Sequence, residues 1–277
     1  MPVSSWSDRL SSGLTPCSGL AKSLHHECLP PDHDRSADMS LPDPRLPEGF
    51  RALAVDREKM ALDEACRLAR CQKAEPGDFL YSRRHGMASC AILLDSDRSA
   101  VEAAQALPLA QLAVAESLHA LSAAQRPTII WPFSVCLGAR EVARVAIGGL
   151  SGQEEAEDYP DWLVIGLHIR LSGKFTERLP ALKRRELTAL ASEGIATDRT
   201  AVLQHLAAAM QRRLAEWQNR GFEPIRSAWT AYTDGESSRP AMRLDKDGNA
   251  MIDTGEGFEK VALIDMIARQ LPLHLTA

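Results

Sequence analysis

The chain has no lysine between Lys73 and Lys174, so every cation in that long interval is an arginine: Arg83, Arg84, Arg98, Arg126, Arg140, Arg144 and Arg170. Arginine clamps carboxylates and phosphates through a rigid planar fork, but it does not replace the compact charge of a lysine ammonium. Also missing is any apolar run of the roughly 18 residues that a membrane-spanning helix needs, and any short apolar core of a secretory signal. A cytoplasmic protein without membrane contact is expected. The six cysteines, Cys17, Cys28, Cys66, Cys71, Cys90 and Cys136, form no C-x-x-C pair and no zinc-type Cys/His spacing, which points to reduced thiols and no metal centre. His25, His26 and His33 near Cys28 do not supply the ligand spacing either. A formal net charge of -5 gives no general attraction to phosphate backbones or anionic lipid, and no basic patch offsets it, so nucleic acid is not an expected partner.

With 277 residues and 45% hydrophobic content, the chain can bury the core of one sizeable α/β domain and of a smaller second one. Seven of the 16 prolines fall within the first 48 residues. That stretch shows no hydrophobic period, so residues 1–45 read as a disordered leader. Met39 stands directly before the first domain-like sequence and is an alternative start to Met1. A chain beginning at Met39 is expected to melt at the same temperature as the full one, because no apolar face is lost with residues 1–38. Thermal denaturation of the two forms checks this, and a loss of several degrees contradicts it.

Periodicity orders the rest. Leu62, Ala65, Cys66 and Ala69 recur at helical spacing, and Pro76-Gly77 then breaks the chain. Phe79–Tyr81 and Ala88–Leu94 follow as two strands of a tight hairpin. Pro108 suits the first turn of a helix whose stripe is Leu107, Ala110, Val114, Leu118 and Leu121. Strands are expected at Thr128–Leu137 and Glu141–Ile147, joined by Gly138-Ala139-Arg140. From Trp162 to Leu171 the residues alternate. Leu163, Ile165, Leu167, Ile169 and Leu171 take one face, and Trp162, Val164, Gly166, His168 and Arg170 take the other, a composition that suits either a sheet edge or a cleft. A second long helix carries Leu203, Leu206, Met210, Leu214 and Trp217, capped at Asp198 or Thr200 and stopped at Gly221. Asp245 to Asn249 reads as a hairpin turn, since Gly248 and the lack of a closing Glu do not fit a calcium loop. The expected fold is α/β, a mixed sheet with packed helices over residues 46–220, followed by a small C-terminal domain over residues 221–277.

One hairpin carries more. Ile130-Trp131-Pro132-Phe133-Ser134, followed by Gly138-Ala139-Arg140-Glu141, resembles the central hairpin of the biotin/lipoate protein ligase family. There the pattern is Lys-Trp-Pro-Asn-Asp, a short turn, and a basic residue followed by the catalytic Lys. Trp131 and Pro132 match. Ile130 stands at the first Lys position, Phe133 and Ser134 at Asn-Asp, and Glu141 at the catalytic Lys. The order of elements over about residues 55 to 255 is similar to that family. Leu187-Thr188, Leu190, Gly194, Asp198-Arg199 and the helix ending in Trp217, then Gly221-Phe222 and Trp229, resemble the link from a biotin ligase core to its small C-terminal domain. Where the family has a long Gly/Arg-rich loop over the acyl-adenylate, this chain has only Ser82-Arg83-Arg84-His85-Gly86.

The resemblance implies activation of biotin, lipoate or a related acid with ATP and magnesium, then transfer to a lysine of a carrier protein. Such chemistry needs fixed cations around the phosphates, which Glu141 at the lysine position opposes. ATP and Mg are therefore expected only if ligase activity is retained. Arg83, Arg84 and Arg170 are candidates for binding a carboxylate or phosphate, with Trp131 packing on an apolar tail and His168 beside them. Ordinary surface arginines are the alternative. An octanoyltransferase-like reading would make Cys136 or Cys90 a nucleophile with His168 as base, although a strand Cys is more often a small buried hydrophobe. A third reading is a non-catalytic binding or regulatory module that recognises a carrier domain. For Glu141 itself, the plain alternative is a strand-opening residue facing solvent.

Overall fold

The alternating segments of the sequence pair into a mixed sheet. In the computed structural model, which describes residues 42–56, 59–95, 97–152, 154–155, 157–174, 185–233 and 242–270, the strands are β1 (Arg51–Val55), β2 (Asp78–Ser82), β3 (Met87–Leu94), β4 (Pro127–Ile130), β5 (Ser134–Leu137), β6 (Arg140–Gly148) and β7 (Leu163–Arg170). Their order is β1-β2-β3-β7-β6-β5-β4. Among the paired strands of the described residues, only β1 and β2 run parallel. A parallel pair needs a crossover, which here is α1 (Ala61–Arg70). The other helices are α2 (Ala100–Ala104), α3 (Ala106–Leu121), α4 (Arg199–Arg220) and α5 (Glu223–Thr230). A small antiparallel sheet of β8 (Met242–Leu244), β9 (Ala250–Asp253) and β10 (Phe258–Val261) follows, then α6 (Leu263–Ala268). Cys17, Cys28, the histidines beside them and Met39 lie outside the described residues.

Strand β7 is buried on both faces. Leu163, Ile165, Leu167 and Ile169 join the large core with α3 and α4, whereas Val164 belongs to a smaller cluster under α1. Helix α3 is buried almost all round, as expected of a helix enclosed by the sheet, α4 and α5. Asp198 starts α4 by accepting a hydrogen bond from the Ala201 amide at 2.8 Å, the usual satisfaction of an orphan N-terminal donor. Gly221, at φ +73°, ends it.

Two buried glutamines tie these layers together. Gln105 Oε1 accepts from the Trp217 indole at 3.0 Å while its Nε2 donates to the Lys246 carbonyl at 3.2 Å. Gln111 Oε1 accepts from the Trp229 indole at 3.1 Å, and its Nε2 donates to the carbonyls of Ile130 and Ser134. Buried polar groups persist when paired in this way.

Three features differ from the sequence reading. The expected strand from Thr128 to Leu137 is two strands, because Trp131-Pro132-Phe133 forms a turn with a cis Trp131-Pro132 bond. Proline has no N–H to give to a ladder, and Gln111 takes the flanking carbonyls instead. Strand β1 carries little hydrophobic alternation and is ordered by its pairing with β2. Residues 42–45, read as the end of a leader, are docked: Pro44 is buried, Thr200 Oγ1 donates to the Pro42 carbonyl at 2.7 Å, and Arg83 pairs with Asp43 at 2.9 Å. These contacts are tertiary and leave no local pattern. A chain that begins at residue 46 is therefore expected to melt several degrees below one that begins at residue 42, a difference that thermal denaturation of both measures.

The Asp245 turn has the chemistry read from the sequence. The Asp245 Oδ1 accepts from the amides of Asp247 and Asn249 at 2.9 Å, and Lys260 pairs with Asp245 Oδ2 at 2.8 Å.

Candidate functional site

The sheet register aligns a polar row across the face that α1 covers. Ser134 is paired with Arg144, Arg144 with His168, and His168 with Ser89. Ser82, one step past the Tyr81–Cys90 pair, continues the row onto β2. The next β7 residue on that face is Gly166, where an added Cβ would come within 2.8 Å of the Leu62 side chain. Only glycine lets α1 lie so close.

Ser82 Oγ, Ser89 Oγ and both ring nitrogens of His168 are buried without a hydrogen-bond partner among the described residues. Unpaired buried polar atoms each cost about 1–3 kcal/mol, so such a row is a place where a ligand or water is stabilising. Burial, with the neighbouring charges of Arg170 and Arg84, pushes the His168 pKa down to about 3. The imidazole is therefore neutral at ordinary pH, with one donor and one acceptor nitrogen.

Beside the row lies an ion cluster centred on Glu141, which is only 8% exposed. Arg170 Nη2 donates to Oε1 at 3.0 Å, and Arg170 Nη1 to the Glu141 carbonyl at 3.1 Å. Arg144 donates to Oε2 at 2.8 Å and to Oε1 at 3.3 Å, and the Ser134 hydroxyl donates to Oε2. Burial pushes the Glu141 carboxyl up, but Arg144, Ser134 and Arg170 outweigh it and hold the pKa below the ordinary value. The alternative of a solvent-facing Glu141 is overturned, because strand β6 turns this side chain inward against two guanidinium groups.

The depressed His168 pKa has a pH consequence. Because the native pKa lies below the ordinary 6.5, the stabilisation is complete above about pH 6.5 and is lost as pH falls toward 3, at about 1.4 kcal/mol per pH unit. His168→Gln is expected to flatten that decline in denaturant titrations between pH 6.5 and 4. An unchanged slope would contradict a buried neutral imidazole.

The structure gathers some of the candidates and separates others. Arg170 and His168 share the face with Arg144, Ser134, Ser82 and Ser89. Arg84, with Nη1 3.7 Å from Met60 Sδ, is close enough for its charge to act on His168. Arg83 is placed differently, in an exposed ion pair with Asp43 and coupled to Tyr81. Trp131 packs with Phe133 against the large core, its Nε1 buried without a partner among the described residues. Cys90 is paired with Leu167 and buried in the core on the opposite face from His168, and burial pushes its thiol pKa up. Cys136, buried and paired with Glu141 across a bulge, is electrostatically coupled to Arg170. Neither His168 nitrogen bonds its sulfur. Ser82, Ser89 and Arg144 were not singled out from the sequence. Their signal is the antiparallel register, which appears only once the strands are paired.

A separate cleft of about 460 Å³ lies between α1 and the end of β6, lined by Leu62, Cys66, Arg70, Gly148, Trp162 and Gln270 among others. No residue of the polar row or the Glu141 cluster lines it.

Comparison with known proteins gives this geometry a family. The bifunctional ligase/repressor BirA of Bacillus spizizenii is 24% identical over 170 residues, which is 57% of this chain and 51% of that protein. BirA of Bacillus subtilis is 23% identical with the same coverage. The chain thus spans about half the length of these curated relatives. Among solved structures, a biotin protein ligase-like protein of unknown function from Silicibacter sp. TM1040 superposes with a TM-score of 0.68 at 19% identity, covering 80% of this chain and 97% of that one. The biotin protein ligase of Aquifex aeolicus in complex with biotin and ATP gives 0.58 at 16% identity, covering 76% and 95%. These structures share the fold: a mixed sheet with helices packed on it. A model of the biotin/lipoate A/B protein ligase family matches residues 46–231, and the chain belongs to that family.

Proposed function

We propose that the protein binds a small ligand of the biotin or lipoate kind, acid or acyl derivative, on the α1 face of the sheet, and that it does not activate this ligand with ATP. The observation that carries this reading is Glu141: at the position where the family pattern has its catalytic lysine, a buried carboxylate holds both Arg144 and Arg170. Charge handling for adenylation needs cations aimed at the phosphates, and here the two nearest are engaged by the protein itself. Magnesium and ATP fit the residues poorly. Ser134 stands at an acidic position of the family pattern, whereas magnesium on a nucleotide is held by one or two carboxylates together with the phosphates. The complex of the Aquifex aeolicus ligase with biotin and ATP supports the ligand class, while Glu141 argues against the nucleotide.

On this reading the protein is a binding or regulatory module on a ligase scaffold, acting on a ligand destined for, or carried by, a carrier-protein domain in the cytoplasm. Among the described residues no helix is long and apolar enough to cross a membrane. Cysteine-based acyl transfer has less support, since Cys90 faces the core and Cys136 has no bond from His168.

The test is ATP–pyrophosphate exchange with biotin, lipoate and octanoate, alongside calorimetric binding of the same acids and their amides. No exchange is expected, with measurable binding of at least one compound. Exchange with any acid overturns the reading, and a thioester trapped on Cys136 by mass spectrometry turns it toward a transferase.

A further inference from the structure

The Glu141 cluster is not neutral, because Arg144 and Arg170 stand against a single carboxylate. The charges of Arg170, Arg84 and Arg144 all act on His168 in the middle of the row, with Glu141 opposing them. His168 itself adds no charge. An excess of fixed positive charge in a poorly hydrated region stabilises an anion, since little water is present to screen it.

Arg144 is the member of the cluster placed to meet a ligand. Its side chain is 22% exposed, whereas that of Arg170 is 1% exposed. A guanidinium carries five N–H donors. Arg144 gives one edge to Glu141, Nε to Oε1 and Nη2 to Oε2, and among the described residues its Nη1 has no hydrogen-bond partner. Held by that edge, the rest of the planar fork is fixed in direction, so little side-chain entropy remains to be lost on binding. Across the ladder lie His168 and then Ser89, which offer an N–H and an O–H without partners among the described residues. A carboxylate accepts hydrogen bonds and donates none, which matches this set of donors.

We infer that Arg144 is a specificity-determining residue: its Nη1 end receives a carboxylate of the ligand, and the face takes an acid in preference to the uncharged amide. Glu141 is then a positioning residue that holds Arg144. This rests on the ligand-binding reading above and deepens it, moving anion recognition on β6 from position 141, where the family pattern has lysine, to position 144. One remaining edge serves one carboxylate, in keeping with a ligand that is held and not adenylated. No covalent step is involved.

The experiment is isothermal calorimetry on the full chain with two matched pairs of probes, biotin against biotinamide and octanoate against octanamide. In the unmodified protein the acid of at least one pair is expected to bind about tenfold tighter than its amide, a difference of about 1.4 kcal/mol. Arg144→Gln is expected to weaken that acid about tenfold and its amide much less, and Arg144→Lys, which keeps the charge, to restore part of the preference. A general loss of structure would weaken acid and amide alike. An amide that binds as tightly as its acid in both pairs overturns the inference, and so does an acid preference unchanged by Arg144→Gln. If circular dichroism shows that Arg144→Gln does not fold, the comparison in the unmodified protein and in Arg144→Lys still decides. Amide preference without pyrophosphate exchange sinks this inference alone, whereas acid preference accompanied by exchange sinks the non-activating reading and leaves Arg144 in its role. Failure of all four probes to bind removes both.

Discussion

Glu141→Lys is expected to destabilise the protein by about 3–5 kcal/mol, the usual consequence of removing one partner from a buried ion pair, and not to create ATP binding. From the sequence the exchange looks like a restoration, since it returns the lysine of the family pattern. In the structure it sets three cations together, because Arg144 and Arg170 are held by the Glu141 carboxylate and Arg170 is only 1% exposed. With the carboxylate gone, Arg170 is left buried and without its ion-pair partner, beside a new positive charge. Urea denaturation of both forms measures the difference, and calorimetric titration with ATP and magnesium tests the second half. A loss under about 1 kcal/mol, typical of a surface substitution, would mean that the cluster does not form. Tight ATP binding by the unmodified protein would mean that the missing lysine is replaced from elsewhere.

Trp217→Ala is expected to cost about 3–5 kcal/mol, as large aromatic truncations in cores do. The indole closes the inner stripe of α4, is 4% exposed, and donates to Gln105 at 3.0 Å. The Arg98 guanidinium lies 4.1 Å from the ring centroid. Truncation removes this packing and leaves the buried Gln105 Oε1 without its donor. Trp217→Phe separates the two effects: it retains most of the packing and loses the hydrogen bond, so a smaller loss of about 1–3 kcal/mol is expected. Equal losses for the two variants would place the whole effect in the hydrogen bond. A loss near zero for alanine would show that α4 is not packed as described.

Elements with a strong local period were legible in advance. The alternation from Leu163 to Leu171 became the doubly buried β7, and the stripes from Leu107 to Leu121 and from Leu203 to Trp217 became α3 and α4. Periodicity is visible because each residue reports its own burial. Trp131-Pro132 lies between β4 and β5, and the split of that segment into two strands depends on Gln111 reaching across from α3. Strand β1 was illegible for a related reason, since its residues are mostly exposed and its order comes from pairing with β2. At the site, His168 and Arg170 stood out as polar residues on an otherwise apolar strand. Ser82, Ser89 and Arg144 did not, because serine and arginine are ordinary at strand positions until the register sets them beside His168.

The amino-acid sequence alone sufficed for the class of fold and the family, since hydrophobic period and motif order are properties of the chain read in one dimension. It left open whether the second face of β7 was an edge or a cleft, and whether Glu141 faced water. Both were decided by packing. Leu62 of α1 lies directly on Gly166 and makes the face an interior one. Strand β6 then turns Glu141 inward to Arg144 and Arg170, residues three and twenty-nine positions away in the chain. The sign and burial of a charge depend on what the fold places around it, and that environment is assembled from strands distant in sequence.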